Sequence, residues 1–308
     1  MHVEPAVRPP TTGQPPAPRR RYGVRTIVLG VLLLMGGCSV VGTLYERLDL
    51  LLGLEADSWL ELDAEQLQRF RDAVRQRVEQ NRREELPHYI TALELAATRV
   101  ESPPDAQILL ADAERLRLLL RDTIRRSLPL LADTLAGLRS VQVEHLAGKF
   151  DESNEEYAED YLDVAPETFR KKRVRGSRQA VERWTGRLDA AQRAEVASLV
   201  DAIPDGSAAW DRYSREWQQA LLADLRAGAD KDRLLALMEH WWTTDAAMDP
   251  AYVTQLEDNR RIIAERLARL LPTLSDRQRR HAAREFRELA SDLRELLHPP
   301  ESGTPGRS

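Results

Sequence analysis

The stretch LDAEQLQRFRDAVRQRV, from Leu62 to Val78, decides the fold class. Its apolar residues recur at three- and four-residue spacing, which places them on one face of an α-helix. These residues are Leu67, Phe70, Val74 and Val78. The alternation of apolar and polar residues that is typical of strands is not sustained after residue 45. The chain is therefore predicted to be all-α, an elongated bundle of roughly nine or ten helices.

Two further apolar stripes have the same helical period and are predicted to face a core. The first comprises Leu116, Leu119, Leu120, Ile124 and Leu128, and the second comprises Ile262, Ile263, Leu267, Leu270 and Leu271. Prolines and glycines separate the predicted helices and favour turns between them. These breakers are Pro87, Pro103, Pro104, Pro129, Pro166, Gly186, Pro204, Gly206, Pro250 and Pro272.

A five-residue motif opens several of the predicted helices. Its copies are Leu62–Gln66, Leu188–Gln192 and Leu274–Gln278, with a weaker copy, Leu138–Gln142, that has arginine at the capping position. The spacing is that of a capping box, in which Asp or Ser accepts from an amide three residues later and Gln reaches back to the cap amide. Helix initiation alone explains the motif. It also resembles the Leu-Thr-x-x-Gln signature of small periplasmic chaperones of the Spy and CpxP type.

Composition narrows the classes of protein. The 308 residues are 31% charged and 6% aromatic, a balance typical of a soluble helical body. Without the first 37 residues, 40 basic and 49 acidic residues remain, a net charge near −9. An acidic protein repels phosphate backbones, so nucleic acid is not an expected partner. The single cysteine excludes an internal disulfide.

The position of that cysteine is informative. A basic cluster at residues 19–25 precedes an apolar run from Ile27 to Gly37, and Cys38 follows. A basic region, a short apolar core and small residues at the cut are typical of an export signal. About 11 apolar residues span roughly 16 Å as a helix, too little for a hydrocarbon core of about 30 Å. An uncleaved anchor helix from Thr26 to Leu44 is the alternative.

The segment Leu34-Met35-Gly36-Gly37-Cys38 resembles the lipobox of bacterial lipoproteins, with methionine where leucine is usual. The resemblance implies cleavage between Gly37 and Cys38 and covalent diacylglycerol and N-acyl lipid on the cysteine, without any other cofactor. Three acyl chains would hold the chain firmly to a membrane. Ser39 follows the cysteine, which by analogy with enterobacterial sorting implies the periplasmic face of the outer membrane.

Four regions are predicted along the chain. They are a signal peptide at 1–37, a lipidated tether at 38–57, a helical domain at 58–298 and a disordered tail at 299–308. The whole resembles an uncharacterised family of proteobacterial helical lipoproteins. The resemblance rests on the lipobox, on the R-R-E-E-L-P-x-Y segment from Arg82 to Tyr89, and on a K-F-x-x-x-N-x-x-Y-x-x-x-Y segment from Lys149 to Tyr161.

Acidic and aromatic residues supply the candidate interaction surface. It comprises Lys149, Phe150, Asn154, Glu155, Tyr157, Tyr161, Trp210, Trp217, Trp241 and Trp242. The acids between Asp151 and Asp163 either line a groove for a cationic or extended ligand or pair with the basic block at 170–178 in a salt-bridged helical hairpin. The tryptophans either line the core or form an exposed platform for glycan, lipid or a partner helix.

No catalytic motif is present. The sequence has no G-x-S-x-G, no Walker loop, no G-x-G-x-x-G and no paired-histidine metal motif, so no catalytic or metal-binding residues are assigned. The favoured hypothesis is a non-enzymatic lipoprotein that offers a helical surface to a protein client or envelope partner. The alternatives are an enzyme or accessory that acts on envelope glycan or lipid, and a passive structural spacer.

Overall fold

The computed structural model describes Gly42 and residues 44–297. From Leu48 to Leu297 the chain comprises eleven α-helices, one π-helical turn and one 3₁₀ turn; Gly42 and residues 44–46 are also helical, and none of the described residues lies in a strand. The first six helices are α1 (Leu48–Leu60), α2 (Ala64–Glu84), α3 (Leu86–Glu101), α4 (Ala106–Ala136), α5 (Ser140–Tyr157) and α6 (Pro166–Thr185). The others are α7 (Ala190–Ala202), α8 (Ser207–Arg226), α9 (Lys231–Trp242), α10 (Pro250–Leu270) and α11 (Asp276–Leu297). The all-α prediction is confirmed, with slightly more helices than expected.

The helical body begins earlier than predicted. Residues 48–57 were expected to belong to a tether, but they form most of α1, which packs on α2. Leu52, Ala56 and Trp59 contact the apolar core, and their burial explains why this segment is ordered. The predicted signal peptide with Gly37 and Cys38, and the predicted tail at 299–308, lie outside the described residues.

Two groups of helices surround separate apolar cores. The first core combines α1, α2, the C-terminal part of α4, α5, α8 and α9, and Val74, Leu128 and Leu234 lie at its centre. The second core joins the end of α3 with α7, α10 and α11, around Leu188 and Leu274. A smaller cluster lies between α3 and α11. The long helix α4 packs against both α9 and α10.

The capping motifs pair with one another across the fold. The side-chain amides of Gln66 and Gln142 face each other, with Gln142 Nε2 donating to Gln66 Oε1 at 2.8 Å and Gln66 Nε2 donating back at 3.2 Å. Each amide also donates across the pair to the backbone, Gln66 to the carbonyl of Gly137 and Gln142 to that of Glu61. We call this arrangement a glutamine clasp. It fixes the N-termini of α2 and α5 side by side.

A second glutamine clasp joins α7 to α11 with the same connections. Gln278 Nε2 donates to Gln192 Oε1 at 2.9 Å, and the reverse bond is 3.1 Å. The backbone acceptors are the carbonyls of Thr273 and Arg187. In all four glutamines the side-chain oxygen also accepts from the cap amide of its own helix. All four amides therefore satisfy both of their donors and both acceptor positions.

The arginine in the weaker motif copy has a structural explanation. Arg139 cannot accept from the first-turn amides, but its guanidinium donates to the Asp63 carboxylate of the opposite helix at 2.6 Å. Amide hydrogen bonds from the α2 first turn, together with this guanidinium, hold the pKa of Asp63 below its usual value. Arg139 therefore holds the capping carboxylate of the partner helix and lies at the N-cap position of its own helix, α5.

Two predictions about α4 are wrong. Pro129 does not break the helix: it lies at an exposed position inside α4, where the missing proline amide removes one helical hydrogen bond, to the Arg125 carbonyl. Of the stripe that begins at Leu116, only Leu128 is buried. By contrast, Phe70 and Val74 of the α2 stripe are buried as predicted, and so is Leu270 of the α10 stripe, whereas Ile263 is exposed.

Replacing a clasp glutamine by alanine is expected to destabilise the protein. Gln142→Ala or Gln192→Ala leaves the partner amide and a backbone carbonyl buried without their hydrogen-bond partners. Each such unsatisfied group lowers the free energy of unfolding by about 1–3 kcal/mol. We expect each variant to lose about 3 kcal/mol of unfolding free energy in urea. Gln179→Ala, at an exposed position of α6, is the matched control and should change it by about 0.5 kcal/mol or less. Equal effects in the clasp variants and the control would contradict this role.

Candidate interaction surfaces

Two of the predicted surface residues of α5, Phe150 and Asn154, face α8. The ring of Phe150 meets that of Trp217 edge-on, with centroids 5.3 Å apart. One turn later, Asn154 Nδ2 donates to Gln218 Oε1 at 2.7 Å, and Gln218 Nε2 donates back to Asn154 Oδ1 at 3.2 Å. Phe150, Asn154 and Gln218 are buried. This face of α5 is therefore committed to packing against α8.

The adjacent tryptophans Trp241 and Trp242 belong to different aromatic clusters. Trp242 meets Trp217 edge-on at 5.3 Å, beside Phe150 in the first core. Trp241 lies 5.4 Å from Tyr213, whose hydroxyl donates to the Trp241 carbonyl. Trp210 lies 5.7 Å from Tyr213 on the same side. Each of these tryptophans is partly buried against other aromatic rings. This arrangement matches the core alternative more closely than an exposed platform.

A π-helical turn ends α5 and carries the exposed end of the motif. The turn spans Ala158–Leu162, and the Asp163 amide donates to the Ala158 carbonyl across five residues. It stacks the Tyr161 ring on that of Tyr157 with centroids 4.6 Å apart. The Tyr157 hydroxyl donates to the Ser207 carbonyl at 3.3 Å, and burial raises its pKa to about 12. Tyr161 itself is exposed.

The acidic residues of the segment lie on the outer side of α5. Lys149 pairs with Glu152 at 2.8 Å on the same helix, and Glu155 is exposed. A direct link to the basic block is the ion pair between Lys172 and Asp160, at 3.2 Å. The acids therefore do not line a common groove with the inward-facing tryptophans.

A shallow polar cavity lies next to the tryptophan clusters, and no tryptophan lines it. It measures about 330 Å³ and lies between α8 and the segment that leads into α10. Its wall is formed by Ala209, Arg212, Tyr213, Glu216, Ala247, Met248, Asp249 and Tyr252. None of the ten predicted surface residues lines it. The aromatic and acidic residues therefore do not converge on this cavity.

A buried polar cluster that was not predicted as a site lies where α2, α3 and α4 meet. The Glu85 side chain is only 2% exposed, and Arg77 approaches one of its carboxylate oxygens at 2.7 Å. The other oxygen accepts from Asn81 at 2.8 Å and from Thr123 at 2.6 Å. Tyr89 hydrogen-bonds to Thr123 at 2.7 Å. The signal in the sequence was the segment from Arg82 to Tyr89, which contains both Glu85 and Tyr89.

Two tyrosines border this cluster. The Tyr45 hydroxyl donates to Val78 and lies 3.0 Å from Asn81 Oδ1, and burial raises its pKa to about 12. Burial also raises the pKa of Tyr89. Both hydroxyls are therefore neutral hydrogen-bonding groups at physiological pH. The cluster joins three helices through polar contacts.

The N-terminal part of α4 forms an exposed surface that was not predicted as a site. No residue from Ala106 to Ser127 is buried. Leu116, Leu120 and Ile124, spaced four residues apart on one face, are 42%, 45% and 43% exposed. We call these three side chains the α4 apolar stripe. Helical periodicity found this face, but only the positions of the neighbouring helices show that it is uncovered.

Residues 44–297 lack two kinds of functional feature. No group of three or more His, Cys, Asp or Glu side chains is placed to hold a metal ion in this part of the chain. His281 and Glu285, four residues apart on α11, approach each other at 3.6 Å, and Arg284 lies 2.9 Å from the same ring nitrogen of His281. Among the described helices, none is both long and apolar enough to span a bilayer.

Breaking the buried ion pair is expected to destabilise the fold. Glu85→Ala leaves Arg77, 11% exposed, without its carboxylate, and such a loss typically costs about 3–5 kcal/mol. Glu65→Ala breaks the exposed pair with Arg69 and should cost less than about 1 kcal/mol. Urea unfolding of both variants makes the comparison. Similar losses in the two variants would show that Glu85 does not join the three helices.

Comparison with known proteins gives one match. The model of a family of unknown function, DUF6279, matches residues 58–247. No curated protein and no solved structure gives a significant match. The matched segment contains the first glutamine clasp, the buried Glu85 cluster, the α4 apolar stripe and the seam between α5 and α8. Since the match covers more than half of the chain, the protein belongs to the DUF6279 family of unknown function.

Proposed function

We propose that this protein is a non-enzymatic lipoprotein that is acylated on Cys38 and held at the periplasmic face of the outer membrane. Its helical body binds apolar segments of a protein client or envelope partner, in a chaperone-like manner. The anchor is inferred from the basic cluster, the apolar run and the lipobox resemblance. The binding role is inferred from the surface of the helical body.

The α4 apolar stripe is the observation that carries the binding role. Its three aliphatic side chains together expose on the order of 200 Å² of apolar surface, against about 800 Å² per partner in a stable complex. An area of this size suits brief contact with short apolar segments better than a permanent interface. Arg117 and Arg121 lie beside the stripe, paired with Glu114 at 2.6 Å and Asp245 at 2.5 Å. These ion pairs keep the border of the stripe polar.

Two further observations favour this role over the alternatives. The glutamine motifs resemble those of periplasmic chaperones of the Spy and CpxP type, as the sequence indicated. A glycan-cleaving enzyme needs two carboxylates facing one substrate site. Glu155 and Glu156 are instead exposed on α5, while Trp217 packs inward, so these residues do not form a shared carbohydrate site.

The anchor is tested by changing the acylated residue. Cells expressing the parent chain are expected to incorporate labelled palmitate into the protein, which should fractionate with the outer membrane. Cys38→Ser removes the thiol that receives the lipid, so the label should be absent and the leader retained, with slower migration in gels. Identical labelling, migration and fractionation of the two proteins would contradict the proposed anchor.

The binding surface is tested by a triple substitution, Leu116→Ser, Leu120→Ser and Ile124→Ser. The parent protein should suppress light scattering from an aggregating, chemically denatured client. The variant should lose most of this effect because its apolar contact area is removed. Its stability should change little, since no buried side chain is altered.

A matched control carries Leu54→Ser, Leu118→Ser and Val141→Ser, three exposed aliphatic positions outside the stripe. The control should behave as the parent does. Loss of activity in both triple variants would show that the stripe is not the binding surface. A parent protein that neither suppresses aggregation nor captures an envelope protein on crosslinking would refute the binding role itself.

A further inference from the structure

Helix α6 differs in charge from the rest of this acidic chain. Between Pro166 and Thr185 it carries seven basic and two acidic residues, while the whole chain has a net charge of −5. The basic residues are Arg170, Lys171, Lys172, Arg173, Arg175, Arg178 and Arg183. Thr185 is the only buried residue of this helix. The positive charge of α6 is therefore carried on partly or fully exposed side chains.

Three cations share one side of α6. Lys171, Arg175 and Arg178 follow each other at four- and three-residue spacing, and with Arg170 and Val174 they line a shallow groove of about 270 Å³. We call this the α6 basic face. Val174 contributes its only apolar side chain. The face is therefore suited to anionic groups presented on a surface rather than to an enclosed ligand.

Neighbouring carboxylates neutralise this face only in part. Arg170 forms a two-pronged pair with Asp201 of α7, with both distances 2.7 Å. Lys171 and Arg178 have longer contacts, 3.6 Å and 3.5 Å, to Glu167 and Glu182 of their own helix. Within the described residues, Arg175 forms no ion pair. Four cations line the groove and three carboxylates contact them, so the α6 basic face keeps a surplus of one positive charge.

The acidic segment of α5 approaches a different side of α6. Its contact is the pair between Asp160 and Lys172, and Lys172 lies about 100° around the helix from Lys171. The α6 basic face is consequently directed away from the contact with the π-helical turn. On a molecule that is acidic elsewhere, such a patch orients the protein towards a negatively charged surface.

We propose that the α6 basic face docks on anionic lipid headgroups of the bilayer. Charge complementarity is the argument, since cationic side chains near an anionic bilayer each contribute about 1 kcal/mol of binding. A polybasic patch is also the kind of second membrane contact that reinforces a lipid anchor. Docking through α6 would fix the orientation of the helical body at the membrane. This inference extends the membrane location in the proposed function but needs no acylation of Cys38 for its test.

The test measures sedimentation of the full chain, carrying Cys38→Ser, with two kinds of vesicle. One is pure phosphatidylcholine, and the other contains phosphatidylglycerol as well. We expect additional binding to the anionic vesicles that weakens as the salt concentration rises to about 0.15 M. Lys171→Gln with Arg175→Gln should reduce this additional binding about 25-fold, the equivalent of two charges at about 1 kcal/mol each.

The matched control removes the same charge elsewhere, through Arg69→Gln and Arg115→Gln at exposed sites on α2 and α4. It should retain the additional binding. Equal losses in the two double variants, or no loss in the α6 variant, would overturn the proposal. Retention on heparin without binding to anionic vesicles would also overturn it, in favour of an anionic polymer. If the Cys38→Ser chain binds vesicles through α6 while the parent chain incorporates no palmitate in cells, the proposed anchor is refuted and this inference stays intact.

Discussion

The reciprocal pairing of two glutamine side chains is the constraint on which the arrangement of helices depends. An isolated capping box satisfies the first turn of one helix and leaves the Gln amide donors open. In each clasp those donors bind the opposite amide and the opposite backbone, so helix initiation and tertiary contact become one interaction. The buried amides also make any other register costly, because a shifted helix would leave four polar groups without partners.

The clasp between α2 and α5 determines what α5 can present to its neighbours. The N-terminus of α5 is fixed beside that of α2. From there α5 directs Phe150 and Asn154 into α8 and leaves its acidic side exposed. The aromatic residues therefore contribute to stability through packing. The α4 apolar stripe and the α6 basic face are exposed, and none of the helices described between Leu48 and Leu297 covers them. The proposed membrane and client contacts use these two surfaces.

Local physical chemistry made much of the fold predictable. The all-α class followed from periodicity, and the capping motif identified the starts of α2, α5, α7 and α11. The pairing of motif copies 76 and 86 residues apart was not predictable, because a capping box has the same sequence whether its glutamine is free or clasped. Glu85 was missed for a similar reason, since an acid in a charged segment gives no sign of burial.

The errors share one cause, which is that burial depends on distant neighbours. Leu116 and Val74 both have apolar neighbours at helical spacing, yet Val74 is buried in the first core and Leu116 is exposed. The segment at 48–57 is predicted to be a tether, but it is helical because it packs against α2 and α5. Pro129 lies inside α4 at an exposed position, which its residue type alone did not indicate. In each case the sequence gives the character of the residue but does not show which distant residues surround it.

The central claim is that the paired glutamines act as one unit, and a double-mutant cycle on Gln66 and Gln142 tests it most directly. Unfolding free energies of Gln66→Ala, Gln142→Ala and the double variant would be compared in urea, beside a cycle that combines Gln66→Ala with Gln278→Ala from the other clasp. The account predicts a coupling of about 1 kcal/mol or more within a clasp and additivity between clasps. If the loss in the double variant equalled the sum of the losses in Gln66→Ala and Gln142→Ala to within about 0.5 kcal/mol, the claim would be contradicted.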